Sequence, residues 1–212
     1  MVIAIDGPAG AGKSTVARGV ADALGFTYLD SGAMYRCVAL AALRRGADLD
    51  DPAETGAIAR SIEIALDDGR VELDGADVTN EIRTPEVDLA ASRVSIHSQV
   101  REEMVKLQQA KIESGRYVAE GRDIGTVVSP DAPLKVFLTA SDEVRAQRRA
   151  EESRALLEDV VEAQRERDAR DIGREHSALR PADDAIELDT TELSVAEVVE
   201  EVVKMARERD IA

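Results

Sequence analysis

The chain has 212 residues, of which 43 are acidic and 27 basic, so its formal net charge is −16. This negative charge argues against non-specific binding to nucleic acid or to an anionic membrane face, although a local arginine cluster could still hold a phosphate. The apolar share of 44% is typical of a globular protein. The single cysteine, Cys37, excludes an intrachain disulfide, and two histidines argue against a histidine metal site.

The sequence predicts neither a membrane span nor secretion. No apolar run approaches the roughly 20 residues that a spanning helix needs. Strand-like residues follow the first methionine directly, without the basic segment that opens a signal peptide. We therefore expect a single-domain cytoplasmic protein that binds neither nucleic acid nor membranes, and we expect it to be a monomer.

Segments with strand and helix periodicity alternate along the chain. In chain order they are a strand at 2–6, a helix at 14–24, a strand at 26–29, helices at 33–45 and 55–60, a hairpin at 62–73, helices at about 87–94 and 98–113, strands at 117–119 and 134–138, helical sequence over 142–170, a strand at 185–189 and a helix at 195–209. This alternation predicts an α/β fold, a doubly wound parallel sheet with helices on both faces. The hairpin, with its period of two, predicts a small antiparallel insert.

Residues 7–14 match the motif G-x-x-x-x-G-K-[ST] in full, between a predicted strand and a predicted helix. Glycines let backbone N–H groups wrap round an anion, and the helix directs its positive end toward it. Lys13 would reach the β- and γ-phosphates, Ser14 would ligate Mg²⁺, and Thr15 would bind the α-phosphate. The alternative is a turn that only joins strand to helix, but eight matched positions favour a nucleoside triphosphate site. Its residues are Gly7, Pro8, Ala9, Gly10, Ala11, Gly12, Lys13, Ser14 and Thr15.

Three further groups of charged residues are candidates for chemistry. Asp30-Ser31-Gly32 is a loop and N-cap signal before the second helix, and if Ser31 is the cap, Arg36 lies about one turn further in. Arg36 could clamp a phosphate or be a solvated arginine. Arg122 and Asp123 lie between glycines after a short strand, where open α/β sheets bind ligands, or they form a surface salt bridge. The arginines of 165–174 could cover transferring phosphates or form an ordinary solvated helix face.

Besides the glycine motif, three blocks follow in order: LDSGAMYR at 29–36, GRDIGTVV at 121–128 and RDARDIGR at 167–174. In this order they resemble the bacterial cytidylate kinase family, over nearly the whole chain. The resemblance implies transfer of the γ-phosphoryl group of ATP to CMP or dCMP, with Mg²⁺. It also implies one P-loop kinase domain over 1–212, with a monophosphate-binding insert at about 37–115 and a helical lid at about 145–175.

The resemblance further implies roles for individual residues. The acceptor-binding residues would be Ser31, Arg36, Ser92, Arg101, Arg122, Asp123, Asp171 and Arg174. Residues acting on the transferring phosphoryl group would be Lys13, Arg122, Arg167 and Arg174. Arginines of the lid or facing the phosphates would be Arg148, Arg167 and Arg170. Among the acceptor-binding residues, those that would hold the acceptor phosphate are Arg36, Arg122 and Arg174. The cytosine would be read by Ser92, Arg101 and Asp123, with Ser31 beside the same pocket, and Asp171 would hold the ribose.

Two alternatives stay open at this point. One is another small-molecule P-loop kinase, for UMP, AMP or a non-nucleotide acceptor, against which the blocks at 29–36 and 121–128 argue. The other is a nucleotide-binding switch without kinase activity, against which the concentration of arginines near Asp123 and Asp171 argues. The sequence between Arg149 and Arg165 is shorter than in many relatives, so the lid helices could be joined differently.

Overall fold

The structure is a computed structural model that describes residues 1–67, 69–153 (without the side chains of 152 and 153), 156–173 and 179–211. The first half contains β1 (Val2–Asp6), α1 (Lys13–Leu24), β2 (Thr27–Asp30), α2 (Ser31–Arg45), α3 (Pro52–Ser61), β3 (Ile64–Asp67), β4 (Arg70–Leu73), β5 (Ala76–Asp77), a 3₁₀ turn (Glu81–Arg83), α4 (Pro85–Val94) and α5 (Ser98–Ile112). The second half contains β6 (Tyr117–Gly121), a π-helical segment (Ile124–Val128), β7 (Leu134–Thr139), α6 (Asp142–Ser153), α7 (Leu157–Ile172), β8 (Ile186–Asp189) and α8 (Val195–Glu208).

The chain divides into two compact units. The first unit comprises Met1–Leu29 and Ile112–Ala212, and the second unit is the continuous segment Asp30–Lys111. The insert boundaries that the resemblance implies, about 37–115, stay a prediction. Among the described residues, the structure contains no helix that is long and apolar enough to cross a membrane.

A five-stranded sheet with the order β2-β6-β1-β7-β8 forms the centre of the first unit. β1 pairs in parallel with β6 and β7, and β7 pairs in parallel with β8. After β1 the chain continues to β2 on one side, whereas β7 and β8 lie on the other side, so the strand order reverses beside β1. Ligands of open α/β sheets bind at the carboxyl ends of strands at such a reversal. The predicted doubly wound parallel sheet with a P-loop is confirmed.

The core of the first unit explains why these segments fold as they do. Ile3 and Ile5 of β1 are fully buried, as the continuous apolar run of a strand covered on both faces requires. α1 packs against α8, and Gly19 lies so close to Val199 that an added Cβ would come within 2.9 Å of its side chain. The periodic valines of these two helices therefore belong to one core.

The second unit combines helices with a small antiparallel sheet of order β3-β4-β5. The predicted hairpin is confirmed, with Leu66 opposite Val71 and Ile64 opposite Leu73. The two-residue strand β5 was not predicted because it is too short to show a period. α2 begins at Ser31, and its N-cap is Asp30, whose carboxylate accepts a hydrogen bond from the Ala33 N–H at 2.9 Å. The N-cap signal predicted at 30–32 is thus supplied by Asp30 and not by Ser31.

Candidate functional site

The glycine-rich loop joins β1 to α1 and needs its glycines for steric reasons. Gly7 has φ of 149°, and a Cβ there would lie 2.2 Å from the carbonyl oxygen of Leu138. Gly10 has φ of 75°, and a Cβ there would lie 2.7 Å from the carbonyl oxygen of Arg145. The loop therefore packs backbone to backbone against the end of β7 and the first turn of α6.

Lys13 lies buried at the start of α1, where its ammonium donates a 2.7 Å hydrogen bond to the Pro8 carbonyl of the same loop. Burial, and then the nearby positive charge of Arg122, lower the pKa of Lys13 to about 7, and Arg167 acts in the same direction. The carboxylates of Glu120 and Asp171 act in the opposite direction, so cations and carboxylates both lie near Lys13. The negative charge of a bound phosphate would favour the charged ammonium further.

Ser14 follows Lys13, and its hydroxyl donates a 2.5 Å hydrogen bond to Oε1 of Glu120. The hydroxyl of Tyr28 donates to the same oxygen at 3.0 Å. Hydroxyl and carboxylate oxygens are the ligands that Mg²⁺ prefers, so this pair fits the divalent cation expected beside a bound triphosphate. Sequence analysis gave no role to Glu120, which directly follows the strand predicted at 117–119. An acidic residue at a strand end beside the glycine motif was the available signal.

Arg122 and Asp171 were both predicted to bind the acceptor, and the structure brings them together. Nε of Arg122 donates a 2.9 Å hydrogen bond to Oδ2 of Asp171, whose side chain is 1% exposed. Asp123, which follows Arg122 in the sequence, is also buried. The glycine-flanked segment is thus not the solvated surface turn that was one alternative.

Arg36 belongs to the second unit and lies within its helical part. Its guanidinium contacts the carboxylates of Asp88 at 3.4 Å and of Asp30 at 4.0 Å. Arg83 also pairs with Asp30, at 3.2 Å. These carboxylates fix the Arg36 side chain near the start of α2 instead of leaving it fully solvated.

Ser92 and Arg101 are also in the second unit, and both are buried. The Arg101 guanidinium donates to the Ser95 carbonyl at 3.2 Å and lies 5.4 Å from the centre of the Tyr35 ring. This burial excludes a purely solvent-exposed role for either side chain.

The predicted lid arginines have different surroundings. Arg148 donates to the hydroxyl and the carbonyl of Thr190, at 3.0 and 2.8 Å, and Arg170 pairs with Glu166 at 3.0 Å. Arg167 lies close enough to Lys13 to influence its pKa. Arg174, predicted to hold the acceptor phosphate, lies outside the described residues.

Arg145 is a second residue that sequence analysis missed. Its buried guanidinium donates to the Ala9 carbonyl of the glycine-rich loop at 2.9 Å and pairs with Asp168 of α7 at 2.8 Å. In the sequence, Arg145 is one of many charged residues of a helix, so nothing distinguished it. Through Arg145, α6 and α7 are joined to the loop.

Comparison with known proteins gives consistent matches over the whole chain. A family model described as cytidylate kinase matches residues 3–208. The chain is 48% identical to a cytidylate kinase of Halalkalibacterium halodurans, over 99% of this chain and 98% of that protein. It is 50% identical to a cytidylate kinase of Caldanaerobacter subterraneus, over 97% of this chain and 94% of that protein.

Solved structures share the fold at much lower identity. A gluconokinase from Sinorhizobium meliloti aligns with a TM-score of 0.53 at 17% identity, over 99% of this chain and 93% of that one. A shikimate kinase from Acinetobacter baumannii aligns with a TM-score of 0.51 at 16% identity, over 100% of this chain and 95% of that one. Given the family match and the high identity across almost its full length, the chain belongs to the cytidylate kinase family.

Proposed function

We propose a role for the residues described above in the reaction of this kinase. The chain transfers the γ-phosphoryl group of ATP to CMP or dCMP. The observation that carries the proposal is the 2.5 Å hydrogen bond from Ser14, in the glycine motif, to Glu120, which lies two residues before Arg122. Arg122 in turn donates a hydrogen bond to Asp171. Groups for the donor and for the acceptor are therefore adjacent within the first unit. Because the family consists of enzymes, the alternative of a nucleotide-binding switch is set aside.

The donor is ATP, held by the glycine-rich loop. Residues 7–12 would surround the phosphates with N–H groups, Thr15 would contact the α-phosphate, and Lys13 would neutralise the β- and γ-phosphates. Ser14 and Glu120 would hold Mg²⁺, one directly and one as its hydrogen-bond partner. When bound, Mg²⁺ would neutralise charge on the transferring group and on the leaving diphosphate.

The acceptor phosphate is already an anion, so its oxygen can attack without a strong general base. The protein has to align that oxygen with the γ-phosphorus and to offset the negative charges that meet there. We assign this task to Arg36, Arg122 and Arg174. Arg167 would add positive charge at the transferring group. The ion pairs of Arg36 and Arg122 support this role, because they orient each guanidinium before substrate binds.

Asp123 is the residue that we assign to base choice, together with Ser92 and Arg101, and Asp171 would hold the ribose. A carboxylate accepts a hydrogen bond from the exocyclic amino group of cytosine. Uracil presents a carbonyl oxygen there, so two acceptors would face each other, which is costly in a water-poor pocket. The burial of Asp123, Ser92 and Arg101 supports the proposal, because hydrogen bonds discriminate best away from water.

The lid, at about 145–175, would close over the phosphates and exclude the water that competes as an acceptor. Arg148 and Arg170 would then exchange their present contacts with Thr190 and Glu166 for phosphate oxygens. We further propose that the enzyme is cytoplasmic, since both of its substrates are intracellular nucleotides. We also propose that it is a monomer.

A crystal structure with CMP tests these assignments. We expect the phosphate of CMP within hydrogen-bond distance of Arg36 and Arg122, and the cytosine amino group within hydrogen-bond distance of Asp123. A CMP molecule bound far from these three residues would contradict the proposal.

A further inference from the structure

Asp6 is the last residue of β1 and lies directly before the glycine-rich loop. Its side chain is buried, with the residue only 6% exposed, and both carboxylate oxygens accept backbone hydrogen bonds. Oδ1 accepts from the N–H of Ile124 at 2.8 Å, and Oδ2 accepts from the N–H of Gly125 at 2.7 Å. One carboxylate thus connects the start of the donor loop to the peptide that follows Asp123.

These hydrogen bonds fix the chain just beyond the end of β6. The parallel ladder of β1 and β6 ends where Asp6 pairs with Gly121, so residues beyond Gly121 have left the ladder. Beyond Gly121, the Asp6 carboxylate accepts hydrogen bonds from the first two N–H groups of the π-helical segment. The segment is also closely packed, because a Cβ on Gly125 would come within 3.2 Å of the Lys135 side chain. Asp123 is therefore flanked by the end of a strand ladder on one side and by the Asp6 anchor on the other.

Keeping the buried Asp6 carboxylate ionised at neutral pH costs folding free energy. Burial raises the pKa of Asp6 to about 6, although the hydrogen bonds from Gly125 and Ile124 act in the opposite direction. Asp123 adds to the increase, whereas Lys13 opposes it. At neutral pH the protein thus keeps a carboxylate ionised in a site that disfavours its charge. Only the ionised form accepts both N–H groups without presenting a proton to one of them.

We propose that Asp6 is a positioning residue that fixes Asp123 relative to the glycine-rich loop and so determines how strongly the enzyme prefers cytosine over uracil. The inference rests on the proposed role of Asp123 in reading the base. A hydrogen bond that discriminates between two bases needs its acceptor placed within a fraction of an ångström. Asp6 supplies that placement from the residue next to the donor site, without touching the base.

The test is the Asp6→Asn variant. Asparagine has nearly the same shape but offers one acceptor oxygen, and its amide NH₂ would face the second N–H. We expect the ratio of kcat/KM for CMP to that for UMP to fall about tenfold, while the Kd for ADP changes less than about twofold. The matched control is Asp189→Asn, at the end of β8, where the carboxylate accepts the Thr191 N–H at 2.8 Å. This control should leave the ratio unchanged.

Asp123→Ala, measured in parallel, separates the inference from the function on which it rests. If Asp123→Ala lowers the ratio and Asp6→Asn does not, the inference is overturned and the role of Asp123 stands. If Asp123→Ala leaves the ratio unchanged, the base-reading role is wrong and the inference falls with it. An equal loss with CMP and UMP in Asp6→Asn also overturns the inference, since it would indicate an effect on the donor loop alone.

A pH series of the wild-type enzyme provides a second readout, which holds even if Asp6→Asn does not fold. Lowering the pH from 7.5 to 5.5 protonates Asp6, so the same ratio should fall, and ionisation of the acceptor phosphate cancels between CMP and UMP. Lys13, Asp123 and, from β7, Lys135 are the charged groups around Asp6 and Gly125. A wild-type ratio that stays constant over this range, or a fall of equal size in Asp6→Asn, overturns the inference.

Discussion

The hydroxyl of Ser14 donates a 2.5 Å hydrogen bond to Glu120, a residue 106 positions further along the chain. The bond uses the proton of the hydroxyl and leaves its lone pairs available for a cation. It joins the last residue of the glycine motif to the strand end that precedes Arg122 and Asp123. The glycine-rich loop and the segment that contains Arg122 and Asp123 are thus linked by side chains as well as by the pairing of β1 with β6.

The Glu120→Gln variant tests the contribution of this carboxylate to the proposed Mg²⁺ site. Glutamine keeps the size and one oxygen but loses the negative charge, so we expect the Mg²⁺ concentration for half-maximal binding of ADP to rise about tenfold. Calorimetric titration of ADP with increasing Mg²⁺ measures this directly. Glu187→Gln, an exposed glutamate on β8, is the matched control. An unchanged Mg²⁺ requirement in Glu120→Gln would exclude the carboxylate from the site.

Lys13→Ala should lower kcat on the order of 100- to 1,000-fold, because a preorganised charge on the transferring phosphate is lost. The fold should persist, since burial disfavours the charged ammonium and lowers the pKa of Lys13. Steady-state kinetics and thermal denaturation measure the two effects. The control is Lys106→Ala, which removes an exposed lysine paired with Glu103. Full activity in Lys13→Ala would refute the catalytic role of the motif.

Asp123→Ala should abolish most of the preference for CMP over UMP. The loss of a buried hydrogen-bond partner for the amino group is expected to cost at least about tenfold in kcat/KM for CMP, with a smaller effect for UMP. Competition kinetics with both nucleotides measure the ratio. Asp131→Ala changes an exposed aspartate eight residues further along and serves as the control. If the preference survives in Asp123→Ala, another group reads the base.

Arg36→Lys should raise the KM for CMP about tenfold and leave the KM for ATP nearly unchanged. Lysine keeps the charge but cannot contact two phosphate oxygens with a planar fork of donors. Arg44→Lys, on the same helix and paired with Glu81 at 2.6 Å, is the control. Equal increases in both KM values would show that Arg36 supports the fold and not the acceptor site.

The dependence of stability on pH should reveal the buried Asp6. Its pKa in the folded chain, about 6, lies above the ordinary 3.8, so the folded state binds the proton more tightly. The stabilising contribution is therefore complete below about pH 4 and is lost as the pH rises through 6. Between pH 5 and pH 7.5 the wild type should lose about 1.4 kcal/mol relative to Asp6→Asn. Urea unfolding at both pH values measures this difference. An equal change in the free energy of unfolding of the two proteins would contradict the raised pKa.

Local sequence signals predicted much of the fold because they act over short distances. The apolar run of β1, the glycine motif and the alternation of the hairpin at 62–73 each specify structure through immediate neighbours. Where two neighbouring residues could both cap a helix, such local signals do not show which of them does. Asp30 and Ser31 are both good cap residues, and backbone geometry at the end of β2 selected Asp30.

The candidate site was only partly predictable, since its geometry comes from residues far apart in sequence. The contact between Arg122 and Asp171 spans 49 positions, and no local pattern encodes it. Arg145 looks like any arginine of a charged helix until α6 is seen against the glycine-rich loop. Asp6 reads as the last residue of a strand, and its two bonds depend on where the chain turns after Gly121. The resemblance supplied residue types, and the structure supplies their contacts.

An acceptor panel in a coupled ADP-release assay tests the central claim most directly. With ATP and Mg²⁺ present, CMP, dCMP, UMP, AMP, shikimate and gluconate would be added one at a time. We expect ADP release with CMP and dCMP, much slower release with UMP, and no release above background without an acceptor. Turnover that is independent of CMP, or faster with another acceptor, would contradict this claim.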